Sequence, residues 1–408
     1  MLSNYKSSQL FGVDKYIFIV GIILNFFSYG ILNLQFAYNF HNPYIMAAVR
    51  LIMLACGSFL FFKSIIHREI KINLAGYCLI LYVLYLFVLL AFWDKPSLSS
   101  RVYGSEFGKI FQYYSLFAYS FAPLFLFYLS KDRLLFLSDR PYLVFVPSFV
   151  ATLIILLFNI GDLGMMDMSV HTGISRSSIK EPIAVMAVMA IYYMIFSDNL
   201  WKKLIFGFGG AVVSGIGVYL STSQSIILSI GFVGIIAVIL SFRNLKNLFS
   251  ALVLGGSFLF IALPYLFVSR SWERLEKLFY LKTFYTMSDT KYDFSRIDLI
   301  SQGWELFLSS PIIGGNPYLP NGGYTHTFII DIMMGMGCIG ILLTSIILWT
   351  CFKGALKIYT RLPVTSYWLI LLCTYFFIEY LTHGSITSLI SLPVAILLSV
   401  STMFTSKL

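Results

Sequence analysis

The chain has 408 residues, of which 59% are hydrophobic and 11% are charged, with a formal net charge of +10 and a mean hydropathy of +0.84. Soluble domains carry about 25% charged residues, so the composition excludes a soluble enzyme and predicts a polytopic membrane protein. No Walker, GxGxxG, HExxH or GxSxG motif stands in a suitable context. We therefore expect no nucleic-acid partner, no metal site and no cofactor.

Apolar runs that are long enough to cross a bilayer as helices recur along the whole chain. They predict an all-α bundle of about twelve transmembrane helices, which forms a single domain over residues 1–408. The first run lacks an A-x-A cleavage site, so we expect it to stay as the first span. The predicted spans cover residues 15–33, 43–62, 72–93, 107–129, 141–160, 182–198, 203–221, 225–241, 247–268, 327–350, 364–382 and 386–403.

The lysines and arginines predict how these spans are oriented. They concentrate in alternate loops on the side of the N-terminus, namely Lys63, Arg68 and Lys71, then Lys131, Arg133 and Arg140, then Lys202 and Lys203, then Arg243 and Lys246, and last Lys353, Lys357 and Arg361. Both termini are therefore expected in the cytoplasm. The longest loop on the other side, residues 269–326, is expected to hold short amphipathic helices and, in a bacterium with an outer membrane, to face the periplasm.

Several arginines fall on the predicted outer side. Arg50 lies within the second span near its outer end, a costly position that usually faces a partner or a wet cavity. Arg101, Arg176 and Arg270 lie in the outer loops. An anionic substrate at the outer leaflet is the simplest reason for such a set of cations.

A short segment near the end of the long outer loop has helical spacing. Arg296 begins it, and Ile300, Trp304 and Phe307 form its apolar face, which suits a helix lying on the membrane surface or on the bundle. Pro311 and the glycines that follow are expected to end this helix.

The next residues, 310–331, have the sequence SPIIGGNPYLPNGGYTHTFIID. Proline, glycine and asparagine predict a rigid irregular loop that holds its backbone near the outer interface. We expect Thr325 to cap the tenth span, with His326 at its outer mouth. Asp331, one turn into that span, is expected to orient His326 or to pair with an arginine, and Tyr324 is counted among the substrate-binding residues.

These elements resemble the O-antigen polymerase and O-antigen ligase superfamily of bacterial membrane glycosyltransferases. That family has an Arg, a Trp about eight residues later, a Pro-x-x-Gly turn, and a His before a long span with Gly-x-x-Gly. The chain supplies all of them in order, as Arg296, Trp304, Pro311 with Gly314, His326, and Gly337 with Gly340. The predicted twelve-span layout with a long outer loop before the tenth span extends the resemblance to the whole chain.

The resemblance implies a GT-C-like, metal-independent, inverting glycosyltransferase without a cofactor. Its substrates would be undecaprenyl-pyrophosphate-linked glycans at the periplasmic face of the bacterial inner membrane. By resemblance, Arg296 would contact the pyrophosphate, and His326 would activate the acceptor hydroxyl or contact the phosphates. Membrane lipid is a further implied partner, and a polysaccharide chain-length regulator is expected at the level of the family.

The residue types suit this chemistry. Without a metal, guanidinium groups must stabilise the leaving pyrophosphate, whose oxygens they bind in planar forks. Inversion needs a base on the opposite face, and histidine titrates near neutral pH. Arg176 matches an arginine that often precedes the family's sixth span, and Pro182 is expected to start that helix.

The chain departs from the family between the seventh and eighth predicted spans. Many members have Thr-x-Ser-Arg there, whereas this chain has Thr222-Ser-Gln-Ser, so the position of the arginine is held by Gln224. Gln224 can hydrogen-bond a sugar but carries no charge. Arg50, Arg101 or Arg270 would then supply the missing cation.

Glu379 and His383 are four residues apart near the outer end of a predicted span, and so share a helix face. A carboxylate in an apolar span is a functional candidate by default. Glu379 is expected to orient His383 or to bind a sugar hydroxyl, unless the two residues only hold neighbouring spans together.

Four interpretations of the function follow. The favoured one is an O-antigen polymerase that joins lipid-linked repeat units, because the ligase-like Thr-x-Ser-Arg element fails at Gln224. An O-antigen ligase, which moves the finished chain to lipid A-core, fits the same motif. A lipid-linked oligosaccharide flippase predicts similar halves and charges buried in mid-membrane, and a structural membrane protein would leave the arginine–histidine loop without a role.

Overall fold

A computed structural model describes residues 12–37, 43–92, 113, 116–159, 176–221, 224–254, 256, 296–320, 323–325, 327–383 and 386–403. Every regular element within these ranges is helical. The all-α prediction is therefore confirmed for the part of the chain that the structure describes.

The helices of the first half overlap the predicted apolar runs, except α5 (Lys131–Ser138), which forms where a basic loop was predicted. They are α1 Val13–Ala37, α2 Pro43–Ile66, α3 Leu74–Ala91, α4 Ala122–Phe127 after a π-helical turn Leu116–Phe121, α5 Lys131–Ser138, α6 Tyr142–Asn159 and α7 Arg176–Phe196.

The second half continues in the same way. Its helices are α8 Gly210–Ser221 after a π-helical turn Lys203–Gly209, α9 Gln224–Ser241, α10 Leu245–Leu254, α11 Arg296–Ser309, α12 Phe328–Arg361, α13 Tyr367–His383 and α14 Leu392–Met403. Short 3₁₀ turns, Val364–Ser366 and Ile386–Leu389, precede α13 and α14.

Among the described residues, five helical segments are long and apolar enough to cross a membrane, namely Ile45–Ile66, Leu74–Ala91, Phe328–Arg361, Val364–Leu381 and Ile386–Met403. The count becomes six if α5 and α6, which meet at an angle of 58°, form one bent span. These helices indicate a membrane-embedded protein, and parts of several other predicted spans lie outside the described residues.

Two predicted helix ends are wrong. Helix α7 begins at Arg176, so Pro182 is its seventh residue and lies in its interior. Proline there has no N–H to donate to the carbonyl of residue 178, yet the helix continues through this position. Helix α12 continues to Arg361, well beyond the predicted end at residue 350. The last turns of α12 are basic and yet helical. They pack against the end of α14, where Lys357 Nζ donates to the Ser401 carbonyl at 2.6 Å.

Helices α12 and α14 form the centre of one half of the bundle. Helix α12 packs against α3, α11, α13 and α14. The apolar segment that includes α14 is 83% buried, compared with 33% for the segment in α2, so α14 is an interior helix. Gly354 of α12 lies directly against the backbone of Leu397 in α14, where a Cβ atom would overlap the Leu397 carbonyl oxygen.

The basic loops meet at one end of the bundle, which we call the basic end. Lys63 Nζ lies 2.8 Å from an Asp14 carboxylate oxygen. Trp368 Nε1 donates to the Ser138 carbonyl at 3.0 Å, next to the loop that follows α5. Further contacts join the same end, namely Arg133 to the Leu60 carbonyl, Tyr192 to the Thr365 carbonyl, Arg243 to the Tyr367 hydroxyl, and Lys246 to Asp198.

The close packing of α12 on α14 gives a stability prediction. We expect Gly354→Ala to lower the thermal unfolding midpoint of the purified protein, since overpacking of a tight contact typically costs about 1–3 kcal/mol. Gly234→Ala in α9 is the matched control, because a Cβ there meets nothing within 4 Å. Equal midpoints for the two variants would contradict the packing that we describe.

Candidate functional site

Helix α12 is broken near the start of the predicted tenth span. Gly337 has φ 60° and ψ −153°, which lies outside the helical region. The break leaves a short helical piece, residues 328–336, and a long one, residues 338–361. Each piece has an end whose backbone groups need partners from elsewhere.

Residues 311–316, which we call the capping loop, supply those partners. The N–H groups of Gly315 and Asn316 donate to the carbonyls of Gly335 and Met334, at 2.9 and 3.1 Å. These two bonds cap the C-terminal end of the short piece. The loop therefore satisfies carbonyls that the broken helix can no longer pair.

The same loop also caps the long piece. The N–H groups of Cys338 and Ile339 donate to the carbonyls of Pro311 and Ile312, at 2.8 and 3.3 Å. One irregular segment thus closes both ends of the break. This is a physical reason for a Pro/Gly-rich loop next to a long apolar helix.

Glycine is required on both sides of this contact. Gly314 and Gly337 have φ values of 68° and 60°, which L-residues with a side chain rarely adopt. A Cβ on Gly337 would lie 2.5 Å from the Ile312 carbonyl oxygen, and one on Gly314 would lie 2.5 Å from the Gly335 carbonyl oxygen. The two backbones can approach this closely only where neither residue carries a side chain.

The expected helix cap at Thr325 is wrong. The N-cap of α12 is Thr327, whose side chain makes no capping bond. Thr325 is instead held by Asp331, whose Oδ1 accepts from the Thr325 N–H at 2.9 Å and from its hydroxyl at 2.8 Å. The Thr327 N–H donates to the Thr325 hydroxyl at 3.2 Å. A ring of hydrogen bonds that closes between Thr325 and Asp331 thus replaces a single cap.

Asp331 is fully buried, at 0% exposed. Its partner is Thr325, whereas the sequence analysis expected His326 or an arginine; His326 lies outside the described residues. Within the part of the chain that the structure describes, Asp331 Oδ2 has no hydrogen-bond partner. Tyr318, two residues after the capping loop, lies within electrostatic reach of this carboxylate. Burial, together with the Asp331 charge, raises the pKa of the Tyr318 phenol to about 12.

Two tyrosines of α3 join this region to the rest of the bundle. The Tyr85 hydroxyl donates to the Ile313 carbonyl in the capping loop. The Tyr82 hydroxyl donates to the Ile386 carbonyl at 2.6 Å. Sequence reasoning missed both, because tyrosine in an apolar run gives no signal that distinguishes a packed ring from a hydrogen-bonding one.

The start of α7 and the end of α13 come together at the same end of the bundle. Tyr380 lies within electrostatic reach of both Glu181 and Glu379. Since Tyr192 near the end of α7 contacts Thr365 before α13, the two helices run antiparallel. The helix turn that begins with Arg176 therefore lies near the one that ends with His383, although neither of these two side chains is described.

The other predicted residues are placed as follows. Arg50 lies in α2 and is 3% exposed, so it faces the bundle interior. Tyr324 is half-buried beside Thr325 in the chain. Arg296 and Gln224 begin α11 and α9, with side chains outside the described set, and Arg101, Arg270 and His326 lie wholly outside the described residues. Among the five cysteines, Cys338 is exposed, Cys56 is half-buried, and Cys78, Cys351 and Cys373 are buried.

We call this end of the bundle, opposite to the basic end, the loop end. It holds the capping loop, the Thr325–Asp331 ring, the starts of α7 and α9 and the end of α13. Of the carboxylates at this end, those of Glu181 and Glu379 are half-buried and can meet a polar ligand, whereas Asp331 is fully buried. Comparison with known proteins adds no identification, since no family model, no curated protein and no solved structure matches the chain.

The double cap gives a first prediction for this region. We expect Gly337→Ala to lower the thermal unfolding midpoint and to expose residues 310–320 to proteolysis. A Cβ at this position would clash with the Ile312 carbonyl oxygen, and a φ of 60° is strained for alanine. Gly215→Ala, where a Cβ meets nothing within 4 Å, is the control. Unchanged proteolysis of the Gly337 variant would argue against a docked loop.

The Asp331 ring gives a second prediction. Asp331→Ala leaves the buried N–H and hydroxyl of Thr325 without their acceptor, which typically costs about 1–3 kcal/mol. Asp331→Asn keeps an oxygen at that position. We expect a lower thermal midpoint for the alanine variant and a midpoint near that of the wild type for the asparagine variant. Equal losses in the two would show that the carboxylate charge, rather than the Oδ1 acceptor, stabilises the fold.

Proposed function

We propose that the chain is an O-antigen polymerase, a twelve-span, GT-C-like membrane glycosyltransferase. It joins undecaprenyl-pyrophosphate-linked repeat units at the periplasmic face of the inner membrane. The growing chain is the donor and a single lipid-linked unit is the acceptor. The proposal rests on the motif that runs from Arg296 to Gly340.

The observation that best supports this proposal is the segregation of the two ends of the bundle. The basic loops gather at one end through contacts such as Lys63 with Asp14 and Trp368 with Ser138. The candidate residues that can be placed belong to elements at the loop end. If the basic end is cytoplasmic, as basic loops usually are, the candidate residues face the periplasm, where lipid-linked repeat units are polymerised.

Preorganisation of the loop is a second support. A metal-independent transfer depends on groups that are fixed before the charge of the leaving pyrophosphate develops. Asp331 holds Thr325 by two hydrogen bonds, and the Asp331 N–H donates to the Thr327 carbonyl at 3.0 Å. The residues on both sides of His326 in the sequence are therefore fixed, which suits a role for His326 as the base.

In this proposal the residues have distinct roles. Arg296 stabilises the pyrophosphate leaving group and Arg176 binds phosphate or glycan. His326 takes the proton from the acceptor hydroxyl. Arg50, at 3% exposed in α2, provides a further interior cation, since Gln224 stands where many family members have arginine.

The test is complementation of a cell that lacks this gene. His326→Ala and Arg296→Ala are expressed separately, and the lipopolysaccharide ladder is stained while the protein level is followed. We expect the ladder to collapse to one repeat unit on core, with the protein still present, because removal of one preorganised group typically costs about 10²–10³ in rate.

Lys246→Ala is the matched control. Lys246 is a basic residue at the opposite end, and its ion pair with Asp198 is solvent-exposed, so its loss should leave the ladder unchanged. If no repeat unit reaches the core in the His326 and Arg296 variants, a ligase or a flippase explains the data better. An unchanged ladder in both variants would refute the proposed site.

A further inference from the structure

The end of α11 and the capping loop together carry a set of exposed apolar side chains. Leu308, Ile312 and Ile313 are 57%, 68% and 56% exposed, and they follow one another at the end of α11 and the start of the loop. No Asp, Glu, Lys or Arg occurs between residues 306 and 330. Such a contiguous apolar surface needs an apolar partner.

Helix α11 has a second exposed stripe of opposite character. Ser301, Glu305 and Ser309 are exposed and recur every four residues, so they lie on one helix face. Gly303 and Phe307 are buried against α12 on another face. The exposed face of α11 thus has a polar stripe along one edge and an apolar stripe, Trp304 and Leu308, along the other. The two stripes adjoin, because Leu308 and Ser301 are two helical turns apart, and the apolar stripe leads into Ile312.

The level of the loop along α12 indicates which partner covers the apolar stripe. The capping loop pairs with residues 334–339, which lie between six and eleven residues beyond the start of α12 at Phe328. At 1.5 Å per residue this is about 9–17 Å along a helix that is long and apolar enough to cross a membrane. Measured along the axis of α12, the capping loop thus lies well inside the segment that can cross the membrane, and not at its end.

The surface around the tip has the same apolar character. The Tyr85 hydroxyl of α3 contacts the Ile313 carbonyl, and Leu84 and Val88 of the same helix are exposed. Ile339 of α12, whose N–H bonds the loop, is exposed as well. The stripe is therefore continuous with the outward faces of two candidate membrane spans.

The backbone of the loop is also suited to an apolar environment. Irregular backbone at membrane depth is tolerated only where its polar groups are paired within the protein. Pro311 has no N–H group that would need a partner. The carbonyls of Pro311 and Ile312 accept hydrogen bonds from the N–H groups of Cys338 and Ile339. The N–H groups of Gly314, Gly315 and Asn316 donate to Ser310, Gly335 and Met334.

We propose that residues 308–316 are a re-entrant tip inserted into the hydrocarbon of the outer leaflet, with Leu308, Ile312 and Ile313 in contact with lipid acyl chains. The polar stripe of α11 marks the water side of the same element. Residues 308–316 are thus a membrane-binding surface in addition to a cap for α12. This inference does not depend on the proposed glycosyltransferase activity.

The test is nitroxide labelling of single cysteines in proteoliposomes. The background carries Cys56→Ser and Cys338→Ser, while the buried Cys78, Cys351 and Cys373 stay. Labels are placed in turn by Leu308→Cys, Ile312→Cys and Ile313→Cys, with Ser301→Cys and Glu305→Cys as matched controls on the polar stripe. Collision rates with oxygen and with a water-soluble nickel complex are measured for each label.

We expect oxygen to be favoured at the three tip positions and nickel at the two controls. Nickel preference at the tip equal to that at Glu305 would overturn the proposal, and so would tip labels shielded from both reagents, which indicates a protein partner. Since a label can disturb a loop, Trp304 fluorescence is a second measurement without labels. Brominated lipids should quench a component that Trp304→Phe removes, and its absence would also count against insertion.

Discussion

The arrangement of the loop end depends on one backbone interaction, in which the capping loop closes both sides of the break in α12. A break in an apolar helix leaves carbonyls on one side and N–H groups on the other without partners, and each buried unpaired group is costly. The loop offers N–H groups at Gly315 and Asn316 and carbonyls at Pro311 and Ile312. The break and the loop are therefore stable only together, which ties the position of α11 to that of α12.

The fixed loop transmits this constraint to its surroundings. Tyr85 joins α3 to the loop, and Tyr82 joins α3 to the turn after α13. On the other side, Asp331 gathers the residues that lead into α12. Hydrogen bonds thus tie α3 and the residues before α12 to the capping loop, as other polar contacts tie together the basic end. Apolar packing fills the bundle between the two ends. Rigid placement of polar groups is what a metal-independent transfer of a charged leaving group requires.

Much of the helical framework could be predicted from the sequence, because apolar runs and basic loops are local signals. Most helices overlap the predicted runs, although α5 forms in a predicted basic loop. Arg50 is buried as a charge within a span should be, and α11 begins at Arg296. Helix ends were less predictable. Pro182 did not start α7 and residue 350 did not end α12. Both helices extend into polar residues, Arg176–Glu181 and Lys353–Arg361, where hydropathy alone predicts a loop.

The sequence alone determined the membrane character, the helical class and the identity of the residues available for chemistry, since these follow from composition and from short-range periodicity. Only the tertiary structure decided that the glycines at 314 and 337 face each other, that Asp331 holds Thr325, and that Tyr85 reaches the loop. Contacts of this kind join residues that are far apart in the chain or depend on the path of an irregular backbone. A pattern of residue types specifies which groups can pair, but the packing of the helices selects which of them do.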